Sequence, residues 1–233
     1  MSCGPTIYAR CSRHTVFDTG DAHIVLPGFR AISIDVAQCR RDLDAFDALL
    51  ASRDDLGERR DILPFFRSHP QLSLFLGAYA VNLDDYDRLA YEYDLFGLFV
   101  ADVVVGDWTR KSYCFVEFED ATPRSIFEPL PRRRTTLWGT RFERGYSQVV
   151  DWYWALDTQR DTQQMERSLG MRGIEMTALL IIGRDKDVDS ADRLRFEWRR
   201  QHAVIGSRQI ICRTYDEVAR GLRKKLDVRA RVG

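Results

Sequence analysis

The run from Phe99 to Asp120, FVADVVVGDWTRKSYCFVEFED, constrains this chain more than any other segment. It reads as two apolar strands joined by a polar turn near Asp107–Ser112, with acids set where apolar residues belong. Asp102 interrupts the first strand, and Glu117 and Glu119 interrupt the second. Strand side chains alternate faces, so Glu117 and Glu119 share one face and Phe118 takes the other. Carboxylates on strands that otherwise read as core are costly unless they are paired or bind a metal. Asp107 belongs to the start of the turn, and Asp120 is expected on the face opposite the acids. Solvated acids on an edge hairpin would be the structural alternative. The apolar residues of CFVEF, which fill the other positions on both faces, argue against it.

Converging acids suit a hard divalent cation, Mg²⁺ or Mn²⁺, held by one or two carboxylates with water and phosphate oxygens. Asp102 and Glu117 sit roughly opposite each other on adjacent strands and are the expected metal ligands, with the Phe118 carbonyl as a backbone ligand. Glu119 lies one pleat further along and is placed to orient or deprotonate an attacking water.

Composition sets wide bounds. At 233 residues, 45% hydrophobic and 30% charged, the chain can bury a sizeable core. Lys+Arg and Asp+Glu are both 35, so the basic excess of a broad non-specific nucleic-acid binder is absent, while a local basic groove is not excluded. Only four of the cations are lysines, which leaves few lysines for catalysis. The five cysteines form no CxxC pair, and their odd number suggests free thiols in a reducing compartment. The spacing of Cys3, Cys11, His14 and His23 matches no common zinc pattern. The chain starts without a secretory apolar segment and has no apolar run approaching a membrane span, so a cytoplasmic location with no membrane partner is expected.

Short strands separated by turns are expected over residues 1–34. A helix follows from about Asp35, with Val36, Leu43, Phe46, Leu49 and Leu50 at near-helical spacing. ASRDDLGERR reads as a charged connector or helix end, Pro70–Tyr79 as a short helix, and 88–97 as a strand. Residues 121–137, with three prolines and Arg132, Arg133 and Arg134, read as a loop. An arginine triplet is commonly a solvated surface; beside a phosphodiester site it would hold phosphate. The next helix, about 140–157, carries Phe142, Tyr146, Val149, Tyr153 and Leu156 on one apolar stripe. Arg141, Gly145, Gln148 and Trp152 fall on a neighbouring stripe. Both Trp152 and Trp154 are expected in the core. MTALLIIGRD is a buried central strand, ADRLRFEWRRQH a surface helix, and AVIGSRQIICRTY one or two strands. TYDEVARGLRKKL closes the chain as a helix, with Thr214 as its N-cap.

The order helix, strand, acid-bearing hairpin, helix, strand resembles the core of PD-(D/E)XK nucleases. Asp102 stands at the first acid of that motif and Glu117-Phe118-Glu119 at (D/E)XK; Gln148 with Trp152 four positions on resembles the QxxxY element. GLFVADVVVGD, YCFVEFEDA, WGTRFERGYSQVVDW and LLIIGRD together resemble the Shedu-type domain of bacterial anti-phage defence proteins. The resemblance implies an α/β fold, a mixed central sheet flanked by helices, over residues 45–227. A short extension over 1–44 precedes it and a tail over 228–233 follows. It implies metal-dependent cleavage of DNA, with Asp102, Glu117, Glu119 and Gln148 in the site and Arg141, Lys111 and Arg132–Arg134 near the substrate. DNA and further copies of the chain are the implied partners. One departure stands out: Glu119 replaces the motif lysine, which raises the negative charge at the centre. Arg141 or Lys111 would have to supply the missing cation. A nuclease-like domain that binds nucleic acid or protein without cleaving is the second reading.

Overall fold

A computed structural model describes residues 26–132 and 135–232. The short strands expected over 1–34 fall almost wholly outside these residues, as do Cys3, Cys11, His14, His23, Arg133 and Arg134. The described residues open with β1 (Arg30–Ala31) and α1 (Val36–Ser52). A π-helical turn (Glu58–Ile62) leads into α2 (Leu63–Ser68), and α3 (Pro70–Phe75) continues as a 3-10 turn to Tyr79. Then come β2 (Arg88–Leu95), β3 (Phe99–Asp107), β4 (Ser112–Phe118), β5 (Phe127–Pro129) and β6 (Thr136–Trp138). The second half holds α4 (Thr140–Gln159), α5 (Gln163–Leu169), β7 (Glu175–Ile181), α6 (Ser190–His202), β8 (Val204–Ile205), β9 (Arg208–Arg213) and α7 (Tyr215–Val232).

Among the described residues, seven strands form one mixed sheet in the order β1-β2-β3-β4-β7-β9-β8. The first half is an antiparallel meander. β4, β7 and β9 then run parallel, and such strands need crossover connections. The helices between them make those crossovers on one face, and α1–α3 and α7, from the two ends of the fold, cover the other. One core packs α1, α2, α3 and α7 onto the face carrying Val103, Val105, Cys114, Val116 and Phe118. The other packs α4, α5 and α6 onto the face carrying Val104, Tyr113, Phe115, Ala178 and Leu180. The α/β class with a mixed, helix-flanked sheet is therefore present.

Three details depart from expectation. The segment 121–137 contains the β5–β6 hairpin, paired from Phe127↔Trp138 to Pro129↔Thr136. Its prolines sit at or beyond strand ends, where a missing N–H costs no ladder bond. Trp152 is buried, but Trp154 is 58% exposed: it is two residues on, about 200° around the helix, and so leaves the packed stripe. α5 also forms, capped by the Thr162 hydroxyl on the Met165 N–H.

α7 begins with a capping box. The Thr214 hydroxyl oxygen accepts from the Glu217 N–H at 3.1 Å, and the Glu217 carboxylate accepts from the Thr214 N–H at 3.0 Å. The same hydroxyl donates to Asp185 at 2.6 Å. Thr214→Ala is therefore expected to destabilise the protein by about 1–2 kcal/mol. Thr214→Ser should cost much less; urea denaturation of the two variants checks this.

Candidate active site

The acids meet where β3 parts from β4. The two strands pair from Asp107↔Ser112 down to Val103↔Val116. At the next rung, Asp102 presents its carboxylate instead of a ladder partner: Oδ2 accepts from the Phe118 N–H at 2.8 Å. Face alternation also breaks here. Val103 and Val105 face the α7 side, whereas Ala101 faces the α4 side. On β2, Tyr91 and Tyr93 divide the same way around Glu92, whose φ of 46° is left-handed. Both strands thus turn over at one rung, which frees Asp102 to reach sideways to β4. The N–H and C=O of one strand residue point to the same neighbour, so the Phe118 carbonyl lies on the Asp102 side as well.

Glu117 faces the α4 layer with Tyr113 and Phe115. Phe118 points the other way and stacks on Phe66, ring centres 4.5 Å apart. Glu117 is buried, and its Oε2 has no hydrogen-bond partner. Glu119, just past β4, is 1% exposed. Its N–H donates to the Ile181 carbonyl at 2.9 Å, and its carbonyl accepts from the Tyr215 hydroxyl at 2.6 Å. Above it lies Gly145 of α4, where a Cβ would stand 2.9 Å from both Glu119 Cγ and Leu180 Cδ1. Only glycine lets the helix come this close.

Two further acids complete the cluster. Glu58 opens the π-helical turn, and its N–H donates to Asp120 Oδ1 at 2.8 Å. Arg141 links the group: Nε is 3.0 Å from Asp120, and Nη1 is 3.5 Å from Glu119 and 3.8 Å from Glu58. Burial pushes Asp102 up to about 7, against the Phe118 N–H and with help from Glu58. Burial likewise pushes Glu119 up to about 7, with Glu58 adding and Arg141 opposing. Glu117 is held well above the carboxylate range by burial, then by Asp102, Glu119 and Glu58. Burial raises Glu58 as well. Arg144 favours the charged forms of Glu58, Glu117 and Glu119.

The structure thus gathers Asp102, Glu117, Glu119 and Arg141. Gln148 stands nearby, donating from Nε2 to the Val100 carbonyl at 3.2 Å. Lys111 is not brought in: it lies in the β3–β4 turn, six residues and about 20 Å of extended chain from Glu117. Arg132 is exposed in the β5–β6 connection, and no described contact ties it to the acids. Asp120 corrects the expectation that placed it on the opposite face. β4 ends at Phe118, and the Leu56↔Ala121 bridge draws the chain toward Glu58, so strand alternation no longer governs. Sequence reasoning also passed over Glu58 and Arg144. The signal for Glu58 was slight, a glycine and an acid inside a charged run; Arg144 was legible as the residue one turn on from Arg141.

The sequence model of one family, Shedu protein SduA, C-terminal, matches residues 56–219. The chain belongs to this family. No curated protein matches it. The Shedu match opens two residues before Glu58 and takes in Asp102, Glu117, Glu119, Asp120, Arg141 and Arg144. α1 lies before it. Among the described residues, no helix is long and apolar enough to cross a membrane.

Raised carboxylates have a signed consequence. Between the ordinary carboxylate range and about 7, the folded chain binds protons at Asp102 and Glu119 that the unfolded chain has released. Without divalent metal, their contribution to stability should fall as pH rises through that window and level off above it. Urea midpoints at several pH values test this by comparison with Glu119→Gln, which should flatten the fall. Arg141→Gln removes a cation that holds Glu119 down, so the fall should extend above pH 7.

Proposed function

We propose that this protein is a metal-dependent DNA endonuclease of anti-phage defence, built on a PD-(D/E)XK-type core. Membership in the Shedu family supports the defence role. The observation that carries the chemistry is the Glu117 carboxylate, buried with an oxygen that nothing satisfies, beside Asp102 and Glu119. An unpaired buried carboxylate is costly, and a cation there would relieve it.

The donor set fits a hard cation. As the side chains stand, no group of three or more His, Cys, Asp or Glu among the described residues forms a ready metal cage. Mg²⁺ does not need one, since one or two carboxylates with water and substrate oxygens suffice. Asp102, Glu117 and the Phe118 carbonyl would hold it. When bound, such an ion polarises a phosphate and lowers the pKa of a water.

The protein's own groups supply the rest. Glu119, with its carboxyl raised to about 7, is suited to take a proton from water near neutral pH. Arg141 offsets the charge of Glu58, Glu119 and Asp120 and can turn a guanidinium N–H to a phosphate oxygen. It takes the place of the motif lysine that Glu119 displaces. Gln148 holds the β3 backbone at Val100, two residues from Asp102, and acts as a positioning residue. The second reading, a nucleic-acid or protein binding module without cleavage, draws on that same Glu119. There the engaged Arg141 would only neutralise acids.

Asp102→Ala separates the two readings. Metal-dependent cleavage of DNA should fall by more than about a hundredfold, because losing even an outer partner of a metal ligand costs 10–100-fold. Mg²⁺ should raise the melting temperature of the wild type and do much less for the variant at matched ionic strength. An equal Mg²⁺ response in both, with DNA still bound, would leave the non-cleaving module.

A further inference from the structure

α7 carries more positive charge than its neighbours neutralise. Its described ion pairs are Arg184–Asp216, Arg200–Glu217, Arg220–Asp185, Arg223 with Asp44 and Asp47, and Arg40–Asp227. Among the described residues, Lys224, Lys225 and Arg229 have no ion-pair partner. In a chain whose charges balance at 35 and 35, that is a local excess. Cations near a helix C-terminus are favoured by its dipole, which accounts for basic residues there but not for where these three point.

They rim a pocket of about 620 Å³ whose apolar surface comes from Phe75, Ala78, Tyr86 and Val228. Two of the cations are set by aromatic rings. Lys225 Nζ lies 5.8 Å from the Tyr79 ring centre, and the Arg229 guanidinium lies 5.4 Å from that of Tyr86. Tyr79 is itself anchored, its hydroxyl donating to the Glu217 carbonyl at 3.3 Å. Gly221 makes room for it, since a Cβ there would meet that hydroxyl at 2.4 Å. Val228 is 56% exposed, so the apolar wall is open to a ligand.

We propose that this pocket binds a nucleotide, with phosphates between Lys224, Lys225 and Arg229 and the base against Tyr86 and Val228. The volume lies in the range of small-ligand sites. Three uncompensated cations call for more than one negative charge, and the apolar wall calls for a ring beyond the phosphates. The pocket lies in the α3–α7 layer, across the sheet from Glu117, so it does not depend on the nuclease reading.

Calorimetric titration with ATP and GTP, with no metal added, tests the proposal. At least one should bind about tenfold or more tighter than both inorganic triphosphate and its own nucleoside. Lys225→Glu/Arg229→Glu should weaken that binding at least about tenfold, and so should Val228→Glu. Arg231→Glu reverses one charge on α7 outside this pocket and should alter affinity by less than about twofold. All four positions are at least partly exposed, and circular dichroism of each variant verifies folding. Three results would each overturn the proposal. They are no binding of either nucleotide at roughly 1 mM, triphosphate binding as tightly as the nucleotide, or a short DNA duplex that needs Lys225 and Arg229 and that neither nucleotide displaces.

Discussion

The parting of β3 from β4 at Asp102 is the constraint around which the molecule is arranged. A sheet interior leaves no N–H unpaired, so where β3 turns away, something must accept from Phe118. A carboxylate does so, and an anion enters the ladder where a neutral carbonyl would ordinarily lie. The gap that opens is lined from one side by α4, whose Gly145 allows contact with Glu119. From another side comes the π-helical turn with Glu58. Such turns recur at functional sites because they re-aim single residues.

Five carboxylates then crowd one end of the sheet, with Arg141 at the middle of three of them. The arrangement is far from a minimum-energy core. Burial and mutual repulsion raise Asp102, Glu117, Glu119 and Glu58, and no hydrogen bond reaches one oxygen of Glu117. Perturbed groups concentrated in this way are commoner at reactive sites than in structural cores. The surrounding framework holds them. Phe118 stacks between Phe66 and Tyr215, and the Tyr215 hydroxyl fixes the backbone at Glu119.

The acid-bearing hairpin was legible because its strands are apolar on both faces, so three acids stand out against them. Most helices were legible from their apolar spacing, and α7 also from its cap at Thr214. What the sequence hid follows from physics that has no local signature. The turnover of β2 and β3 occurs at Glu92 and Asp102, with no glycine to mark it, although Glu92 takes a positive φ. Glu58 reaches the site through a π-helical turn in a charged run without apolar periodicity. Asp120 was misplaced because strand alternation was carried past the strand's end. Lys111 shows the converse: it is closer to Glu117 in sequence than Arg141 is, yet lies at the far end of the hairpin. The prolines of 121–137 concealed a hairpin short enough to accommodate them.

The parallel pairing of β4 with β7 bears on how the site comes into being. Glu119 is positioned by the carbonyl of Ile181, and Glu117 lies beside Leu180, so the strand that fixes both acids is made long after them. Contacts so distant along the chain require a large loop to close before any of them forms, and they come late in folding. On the ribosome the hairpin with its carboxylates emerges first and waits through α4 and α5 for its neighbour. A chain stopped before Glu175 keeps every one of these acids and lacks the strand that sets Glu117 and Glu119 in place.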